Sequence, residues 1–251
     1  MRKRSMLLAA LVVCLISSST WAIGHIGPPG TTSKKGQIGF NIGGRVSKTD
    51  IKLNDFKTPI FPLGSTTIKK VRTQDVFVDL TYGLFNNWEG FLRLCMHDLD
   101  EGAGNFGGRT KISGDTDMGY GLGIRGTFYR TPKWSVGGVF QIMTVDTDGR
   151  ARTGAFVGGF NIDLWEYLLA VGPTYHVTDW FAIYGGPFMY ILDGEVNGQL
   201  FLPYSAEIES EAMFGGFVGA EFTFTEHSSL RFEFAHTDNA DGLSVAYSYR
   251  H

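Results

Sequence analysis

The chain has 251 residues, of which 34 are glycine, 20 phenylalanine and 10 tyrosine, and only 19% of its residues are charged. This composition favours strands and turns over the long helices of a typical α-helical enzyme. The formal net charge of −3 excludes a strongly basic protein, so we expect no nucleic acid partner.

The first 22 residues have the pattern of a secretory signal peptide. The basic stretch MRKR precedes an apolar run over residues 6–16, and Thr20-Trp21-Ala22 is a small-x-small cleavage site. The run is too short to cross a bilayer as a helix. Cleavage after Ala22 would remove Cys14 and leave Cys95 as the single cysteine, which excludes an intramolecular disulfide. We expect a short N-terminal extension over 23–35 and one domain over 36–251.

Period-two alternation is the dominant pattern of the remaining chain. In the first segment Ile38, Phe40 and Ile42 lie on one face, whereas Asn41 and Arg45 lie on the other. One face is apolar in nearly all of the segments. The pattern predicts ten strands, which begin near Ile38, Asp75, Trp88, Tyr120, Trp134, Trp165, Trp180, Phe214, Arg231 and Leu243.

The connections between these strands alternate in length. Short turns are predicted at 86–87, 131–133, 178–179 and 225–228, and long polar or glycine-rich loops at 49–70, 100–114, 147–161 and 194–206. The connection at 238–241 is short although it lies on the long-loop side. Short turns at one edge and long loops at the other are typical of transmembrane β-barrels, with the turns in the periplasm and the loops outside.

Three tryptophans follow the short turns at a constant interval. Trp88, Trp134 and Trp180 are 46 positions apart, and each is the first apolar residue after its turn. Indole rings are favoured at the membrane–water interface. The spacing therefore predicts that these residues form part of the inner aromatic girdle of a barrel.

The polar faces of the strands carry a nearly balanced set of charges. If the apolar faces point outward, five cationic and six anionic side chains line the interior. This near balance predicts a lumen filled by paired charges. The set consists of Arg45, Arg93, Arg125, Arg231 and Arg250 against Asp75, Asp79, Glu89, Glu166, Glu221 and Glu233. The alternative is a soluble β-sandwich or barrel, in which the apolar faces would point inward.

The whole predicted mature chain resembles the small outer-membrane β-barrels of Gram-negative bacteria of the OmpA or opacity type, in the porin-like superfamily. The C-terminal stretch LSVAYSYRH is similar to the alternating aromatic end by which such proteins are recognised for insertion, except that His251 replaces the usual phenylalanine. The resemblance implies an all-β, antiparallel up-and-down barrel of about ten strands, with eight as the alternative, in the bacterial outer membrane. It also implies outer-membrane lipid, lipopolysaccharide and the barrel-assembly machinery as partners.

One stretch resembles the active sites of outer-membrane hydrolases. FAHTDNADG, with His236, Asp238 and Asn239, resembles the His-x-Ser-Asn-Ala segment of lipid A 3-O-deacylases, but Asp238 replaces the serine and Arg250 lies near the expected glutamate. An omptin-like protease would use Asp and His at the rim, for which the candidates are His97, Asp98, Asp100, His236 and Asp238. Because the order of Asp and His is reversed, we predict no catalytic residues.

Two further motifs lack the context that their chemistry requires. GLGIRG at 121–126 matches a nucleotide-binding pattern but lies within a predicted strand, and does not open a helix. DTDG at 146–149 and DLDEG at 98–102 lack the spacing and the closing glutamate of a calcium loop. We therefore predict no cofactor and no metal ion.

The sequence thus predicts an outer-membrane barrel with a side-chain-filled lumen. Its expected role is envelope structure or surface interaction, through long loops that bind a partner the sequence does not identify. A narrow pore for small solutes is the alternative, although aqueous channels belong to barrels of about 16 strands. A lipid A acyl hydrolase or an omptin-like protease is the second alternative.

Overall fold

The computed structural model of the protein describes residues 24–57, 62–105, 109–153, 156–199, 202–209 and 212–251. The predicted signal peptide lies outside these residues. The described chain contains twelve strands, β1 (Ile38–Lys57), β2 (Pro62–Phe85), β3 (Trp88–Asn105), β4 (Arg109–Gly114), β5 (Thr116–Arg130), β6 (Trp134–Thr153), β7 (Phe156–His176), β8 (Phe181–Gln199), β9 (Pro203–Glu209), β10 (Met213–Thr225), β11 (Ser228–Thr237) and β12 (Ala240–Arg250). Within those ranges there is no helix that is long and apolar enough to span a membrane.

Ten of the strands close into an antiparallel ring at the end of the molecule that carries the short turns. The order around this ten-strand ring is β1–β2–β3–β5–β6–β7–β8–β10–β11–β12, and β12 pairs with β1 from Gly39↔Arg250 to Thr49↔Ala240. The His251 amide donates to the Ile38 carbonyl at 2.9 Å, which joins the two ends of the ring. The prediction of an up-and-down barrel of about ten strands is confirmed.

A second ring of eight strands stands on the first at the opposite end. Its order is β1–β2–β3–β4–β6–β7–β8–β9, and β9 closes it by pairing with β1 at Leu53↔Ile208. The β11–β12 turn ends below this ring, where the Asp50 amide donates to the Asn239 carbonyl at 3.0 Å. The barrel therefore narrows from ten strands to eight along its axis.

The prediction of four long loops was wrong, because most of the residues assigned to those loops lie in the strands of the eight-strand ring. β1 and β2 occupy most of 49–70, β3 and β4 most of 100–114, β6 and β7 most of 147–161, and β8 and β9 most of 194–206. Glycines and charges in these segments resemble loop sequence. They lie instead on strands whose outer faces are polar.

An apolar band surrounds the ten-strand ring. Its exposed side chains include Phe40, Leu92, Leu122, Leu169 and Phe214. On β6 the outward face is free of charge from Trp134 to Thr144, and ten residues at about 3.4 Å each, tilted by about 40°, span a height of about 26 Å. This height matches the apolar band of an outer-membrane barrel, about 25 Å tall.

The eight-strand ring has the reverse arrangement, with an apolar interior and a polar exterior. On β8 Leu192 and Val196 are buried inside, whereas Asp193 and Glu195 are exposed outside. The interior side chains form one packed cluster with contributions from every strand of the ring, among them Leu53, Ile68, Val71, Leu99, Ile112, Ala151, Phe160, Ile162, Leu192, Val196, Ala206 and Ile208. We call this cluster the apolar cap.

The GLGIRG stretch lies within β5, which pairs with β3 on one side and β6 on the other. It is therefore part of a strand and does not open a helix. A Cβ atom at Gly123 would lie 2.2 Å from the Phe91 ring, and one at Gly119 would lie 2.7 Å from the Cys95 sulfur. These glycines are therefore explained by the packing of larger side chains inside the ring.

The apolar cap can be tested on two neighbouring residues of β9. Ile208 is 1% exposed inside the ring, and Glu207 is exposed outside it. We expect Ile208→Ala to lower the free energy of unfolding by about 2–5 kcal/mol, because it leaves a cavity in the cap. Glu207→Ala should change it by less than about 0.5 kcal/mol. Denaturant unfolding of the refolded protein measures both, and equal effects would contradict the assignment of the two faces.

Candidate functional site

The lumen of the ten-strand ring is occupied by the N-terminal part of the chain itself. Residues 24–33, which we call the N-terminal plug, enter from the short-turn end, where the Gly36 amide donates to the Gly83 carbonyl at 2.7 Å. Gly24 to Gly30 are all buried. Because β1 starts only at Ile38, the plug belongs to the predicted N-terminal extension and not to the barrel wall.

Glu89 and Arg125 bind the two ends of the plug from the barrel wall. One carboxylate oxygen of Glu89 accepts from the amides of Thr32 at 2.8 Å and Ser33 at 2.7 Å. The other accepts from Arg125 Nη1 at 2.8 Å, and Arg125 Nη2 donates to the Ile26 carbonyl at 2.8 Å. The pair therefore neutralises its own charges and also satisfies backbone groups of the plug.

Glu233 binds the middle of the plug. Its two oxygens accept from the amides of Ile26 and Gly27, each at 2.7 Å. His25 Nδ1 lies 3.5 Å from the same carboxylate and 2.8 Å from the Ser244 hydroxyl. All of these partners of Glu233 belong to the plug, so this carboxylate and the N-terminal segment depend on one another.

Arg93 joins the plug to the opposite wall. It donates to both oxygens of Asp79, at 2.6 and 3.0 Å, and its remaining donor contacts the His25 carbonyl at 3.1 Å and the Gln141 side chain at 3.0 Å. The guanidinium carbon also lies 4.6 Å from the centre of the Phe77 ring. A planar cation with several donors can satisfy all of these partners at once.

The other predicted lumen charges form two further groups. Glu221 accepts from Arg231 and Arg250, each at 3.2 Å. Asp75 accepts from Arg45 and lies 2.5 Å from His97 Nδ1, and Arg45 Nη1 is 3.8 Å from Glu166. The eleventh predicted lumen charge, Arg250, is only partly buried. The structure buries the other ten and brings them together in the ten-strand ring: Arg45, Asp75, Asp79, Glu89, Arg93, Arg125, Glu166, Glu221, Arg231 and Glu233.

A closed ring with an apolar exterior and a charged interior is the arrangement of a membrane-spanning barrel. The sequence of the chain matches the family described as the outer membrane protein beta-barrel domain over residues 8–250. The chain belongs to this family. The resemblance to small outer-membrane barrels, and the location in the bacterial outer membrane, are confirmed.

Several solved outer-membrane proteins are similar to this chain at low identity. The outer membrane protease OmpT of Escherichia coli is 9% identical, with 91% of this chain and 99% of that chain covered and a TM-score of 0.49. The attachment invasion locus protein Ail of Yersinia pestis is 12% identical, with 86% and 99% covered and a TM-score of 0.31. A comparison with curated proteins gives no match. At these TM-scores the similarities carry no argument about the activity of this chain.

The three predicted girdle tryptophans lie at the short-turn end of this outer-membrane barrel. Trp88, Trp134 and Trp180 are 39%, 46% and 57% exposed, so their side chains face outward. Trp134 packs against Tyr175, with ring centres 4.4 Å apart, and Trp180 lies in the turn before β8, 6.3 Å from the Phe222 ring.

The residues considered for hydrolase chemistry are not gathered in one place. His236 is exposed on the outer face of β11, where it contacts Asp241. His97 is buried inside the ring against Asp75. The two imidazoles thus face opposite sides of the barrel wall. Among the described residues no group of three or more His, Cys, Asp or Glu side chains is placed to hold a metal ion.

Carboxylates form a row across the outer face of the eight-strand ring. Each of β6, β7, β8 and β9 contributes one exposed carboxylate, and the four are direct cross-strand neighbours: Asp146, Asp163, Glu195 and Glu207. Slight burial, and then the neighbouring carboxylates of Asp146 and Glu195, raise the pKa of Asp163. Like charges that face each other across strands are destabilising, so the fold does not require this row.

Sequence reasoning missed the plug, because GHIGPPG has no strand or helix period. The available signal was indirect. Six inward carboxylates against five arginines leave one carboxylate without an arginine, which indicates a donor from another segment. His25 was the polar residue of the extension that could have indicated such a contact.

The first test of this site removes a buried ion pair. We expect Arg125→Ala to lower the free energy of unfolding by about 3–5 kcal/mol, because it leaves Glu89 buried with one cation fewer. Lys133→Ala, which removes an exposed cation in the short turn after the same strand, should have an effect within about 0.5 kcal/mol. Thermal and denaturant unfolding of the folded barrel provide the comparison; a near-zero effect of Arg125→Ala would mean that the lumen is hydrated.

The second test concerns orientation in the membrane. A cysteine at Glu207, in the eight-strand ring, should react with a membrane-impermeant maleimide on intact cells. A cysteine at Thr178, in a short turn, should react only after the outer membrane is permeabilised. Native Cys95 is buried and is the internal control. The reverse labelling pattern would show that the barrel is inverted.

Proposed function

We propose that this protein is a closed outer-membrane barrel that acts in envelope structure or surface interaction, and not in transport. The observation that carries the proposal is the closure of the lumen at two levels. The N-terminal plug and its ion pairs fill the ten-strand ring, and the apolar cap fills the eight-strand ring above it. Solute passage would require both to move.

The remaining internal space supports this proposal. A cavity of about 50 Å³ lies between the charges and the cap, next to Arg45, His97, Glu166 and Tyr190. At about 10–15 Å³ for each water position, it has room for a few water molecules. Barrels of about eight to ten strands have interiors that side chains can fill, whereas open channels need about 16 strands.

The eight-strand ring is the part that can contact a partner. It continues the strands of the membrane barrel beyond the apolar band, so it presents a rigid surface and not four long loops. Its outer face carries the row of carboxylates, and Lys111, Arg150 and Arg152 are exposed farther from the band. An open depression of about 930 Å³ is lined in part by Asp148, Arg150 and Asn197. These features suit a polar partner at the cell surface, beside the surrounding lipopolysaccharide.

Ion conductance in planar bilayers tests the closed barrel. We expect the purified protein to stay near the background level, in contrast to a 16-stranded porin measured in the same way. Deletion of residues 24–33 should also leave the conductance near background in any molecules that insert, because the apolar cap still closes the path.

Two outcomes would contradict the proposal. A steady conductance of the unaltered protein, with an ion preference that Arg125→Ala changes, would assign the narrow pore. A steady conductance only after deletion of residues 24–33 would show that the plug is a gate and that the cap is not a barrier.

A further inference from the structure

Three cationic side chains lie close together on the outer face of the eight-strand ring. Lys111 on β4 is directly opposite Arg152 on β6, and Arg150 is two positions before Arg152 on the same face. All three are exposed. Directly opposed residues have Cβ atoms about 5 Å apart and diagonal ones about 7–8 Å apart, so one acidic group can contact all three. We call these residues the cationic patch.

The cationic patch does not stabilise the sheet. Lys111 and Arg152 face each other, and like charges in this position are destabilising. The other cross-strand neighbours of the three cations are uncharged: Ala103, Ser113, Val157 and Gly159. Asp148 lies on the same face of β6, where its side chain accepts from Asn161 at 3.3 Å. An anionic ligand would remove the repulsion, so the patch has the properties of a binding surface.

The open depression of about 930 Å³ adjoins the cationic patch. Arg150 lines it, and its outer face continues across the next two strands through Gly159 and Gln199. A Cβ atom at Gly159 would have only the Gly149 carbonyl oxygen near it, at 3.9 Å, so the missing side chain leaves open space. The amide groups of Gln199 and Asn197 can donate to hydroxyl groups and accept from them. The volume lies within the range of small-ligand sites, about 300–1,000 Å³.

The height of the patch above the membrane distinguishes a sugar from a lipid headgroup. The uncharged outer face of β6 ends at Thr144, and Arg150 and Arg152 follow on the same face. At about 3.4 Å per residue and a tilt of about 40°, they lie about 16–21 Å beyond the hydrocarbon, whereas headgroups occupy about 5–8 Å. At the headgroup level β6 to β9 present the row of carboxylates, which repels lipid phosphates. The ligand of the patch must therefore extend beyond the headgroups.

We propose that the cationic patch and the depression around Gly159 bind an acidic sugar in the oligosaccharide of the surrounding lipopolysaccharide. The surface faces sideways from the barrel wall, so the molecules next to it belong to the same leaflet. A phosphate or carboxylate of the oligosaccharide pairs with the cations, and the adjoining neutral rings lie over Gly159 with hydroxyl groups at Gln199. Guanidinium groups suit both anions, because they donate two parallel hydrogen bonds.

This inference deepens the proposed surface role and rests on it, and it requires the eight-strand ring to be outside the cell. It assigns the partner by chemistry: a hydroxyl-rich chain that carries an acidic group at the level of Arg150 and Arg152. The rigid strands hold the cations in place before the sugar binds, which lowers the entropic cost of binding.

The experiment uses the folded mature barrel in phosphatidylcholine nanodiscs that contain no lipopolysaccharide. The probe is the oligosaccharide that mild acid releases from the lipopolysaccharide of the native organism. The matched control is the same oligosaccharide after removal of its phosphates and reduction of its carboxyl groups. By titration calorimetry we expect the acidic probe to bind at least about tenfold more tightly than the neutral one. Raising the ionic strength from about 0.05 to about 0.5 M should weaken it, because exposed charges are screened.

Three variants locate the site. Arg150→Gln combined with Arg152→Gln should weaken binding of the acidic probe at least about tenfold, because only Lys111 then remains. Gly159→Trp should also weaken it at least about tenfold, since the indole fills the depression from a position with open space. Lys133→Gln removes an exposed cation in a short turn at the opposite end, and should leave the affinity unchanged. Thermal unfolding shows that each variant is folded.

Four outcomes would overturn the proposal: no binding of the acidic probe, equal affinities for the two probes, an affinity that the double variant does not change, or equally tight binding of poly-glutamate that Gly159→Trp does not affect. The last would indicate a surface that recognises charge alone. Conductance tests the proposed function separately. A barrel that binds no sugar and does not conduct loses this site and stays closed, whereas a steady conductance contradicts the closed barrel whatever the sugar binding.

Discussion

The structure depends on the rule that charges buried inside a closed ring must find their partners inside it. In the ten-strand ring the wall alone does not meet this requirement. Glu233 is bonded to the Ile26 and Gly27 amides, and Glu89 to those of Thr32 and Ser33. A barrel without the plug would leave these carboxylates short of donors, and a plug outside the barrel would leave its amides in water. Each part therefore fixes the position of the other, and together they fill the lumen of the ten-strand ring.

The change from ten strands to eight follows from the same solvent argument. Within the membrane the exterior must be apolar, so polar side chains turn inward and need space for ion pairs. Beyond the apolar band the exterior meets water, so polar side chains turn outward and apolar ones fill the interior. A narrower ring suits this interior, because side chains can pack across it without voids. β9 achieves the narrowing by pairing with β1, above the end of β11 and β12.

The sequence was sufficient to predict the features that depend on which face of a strand each residue occupies. Strict alternation placed Glu89 and Arg125 on the inner face and Leu92 and Leu122 on the outer face, and the tryptophan interval located the short turns. The sequence was insufficient in the eight-strand ring, where the same alternation places apolar residues inside the barrel and polar residues outside. Leu192 and Val196 alternate with Asp193 and Glu195 as regularly as any membrane strand, but the glycines and charges of that segment resemble a loop. The pairing of Leu53 with Ile208 has no local signal, because the partners are far apart in the chain.

The position of the plug is the central claim, and backbone amide hydrogen exchange tests it most directly. In the mature protein the amides of Ile26, Gly27, Thr32 and Ser33 donate to buried carboxylates, so they should exchange as slowly as amides of the ten-strand ring. The measurement needs no substitution and reports residue by residue when read by NMR in lipid nanodiscs. Exchange of these four amides at the rate of an unstructured peptide, while the strands remain protected, would contradict the account.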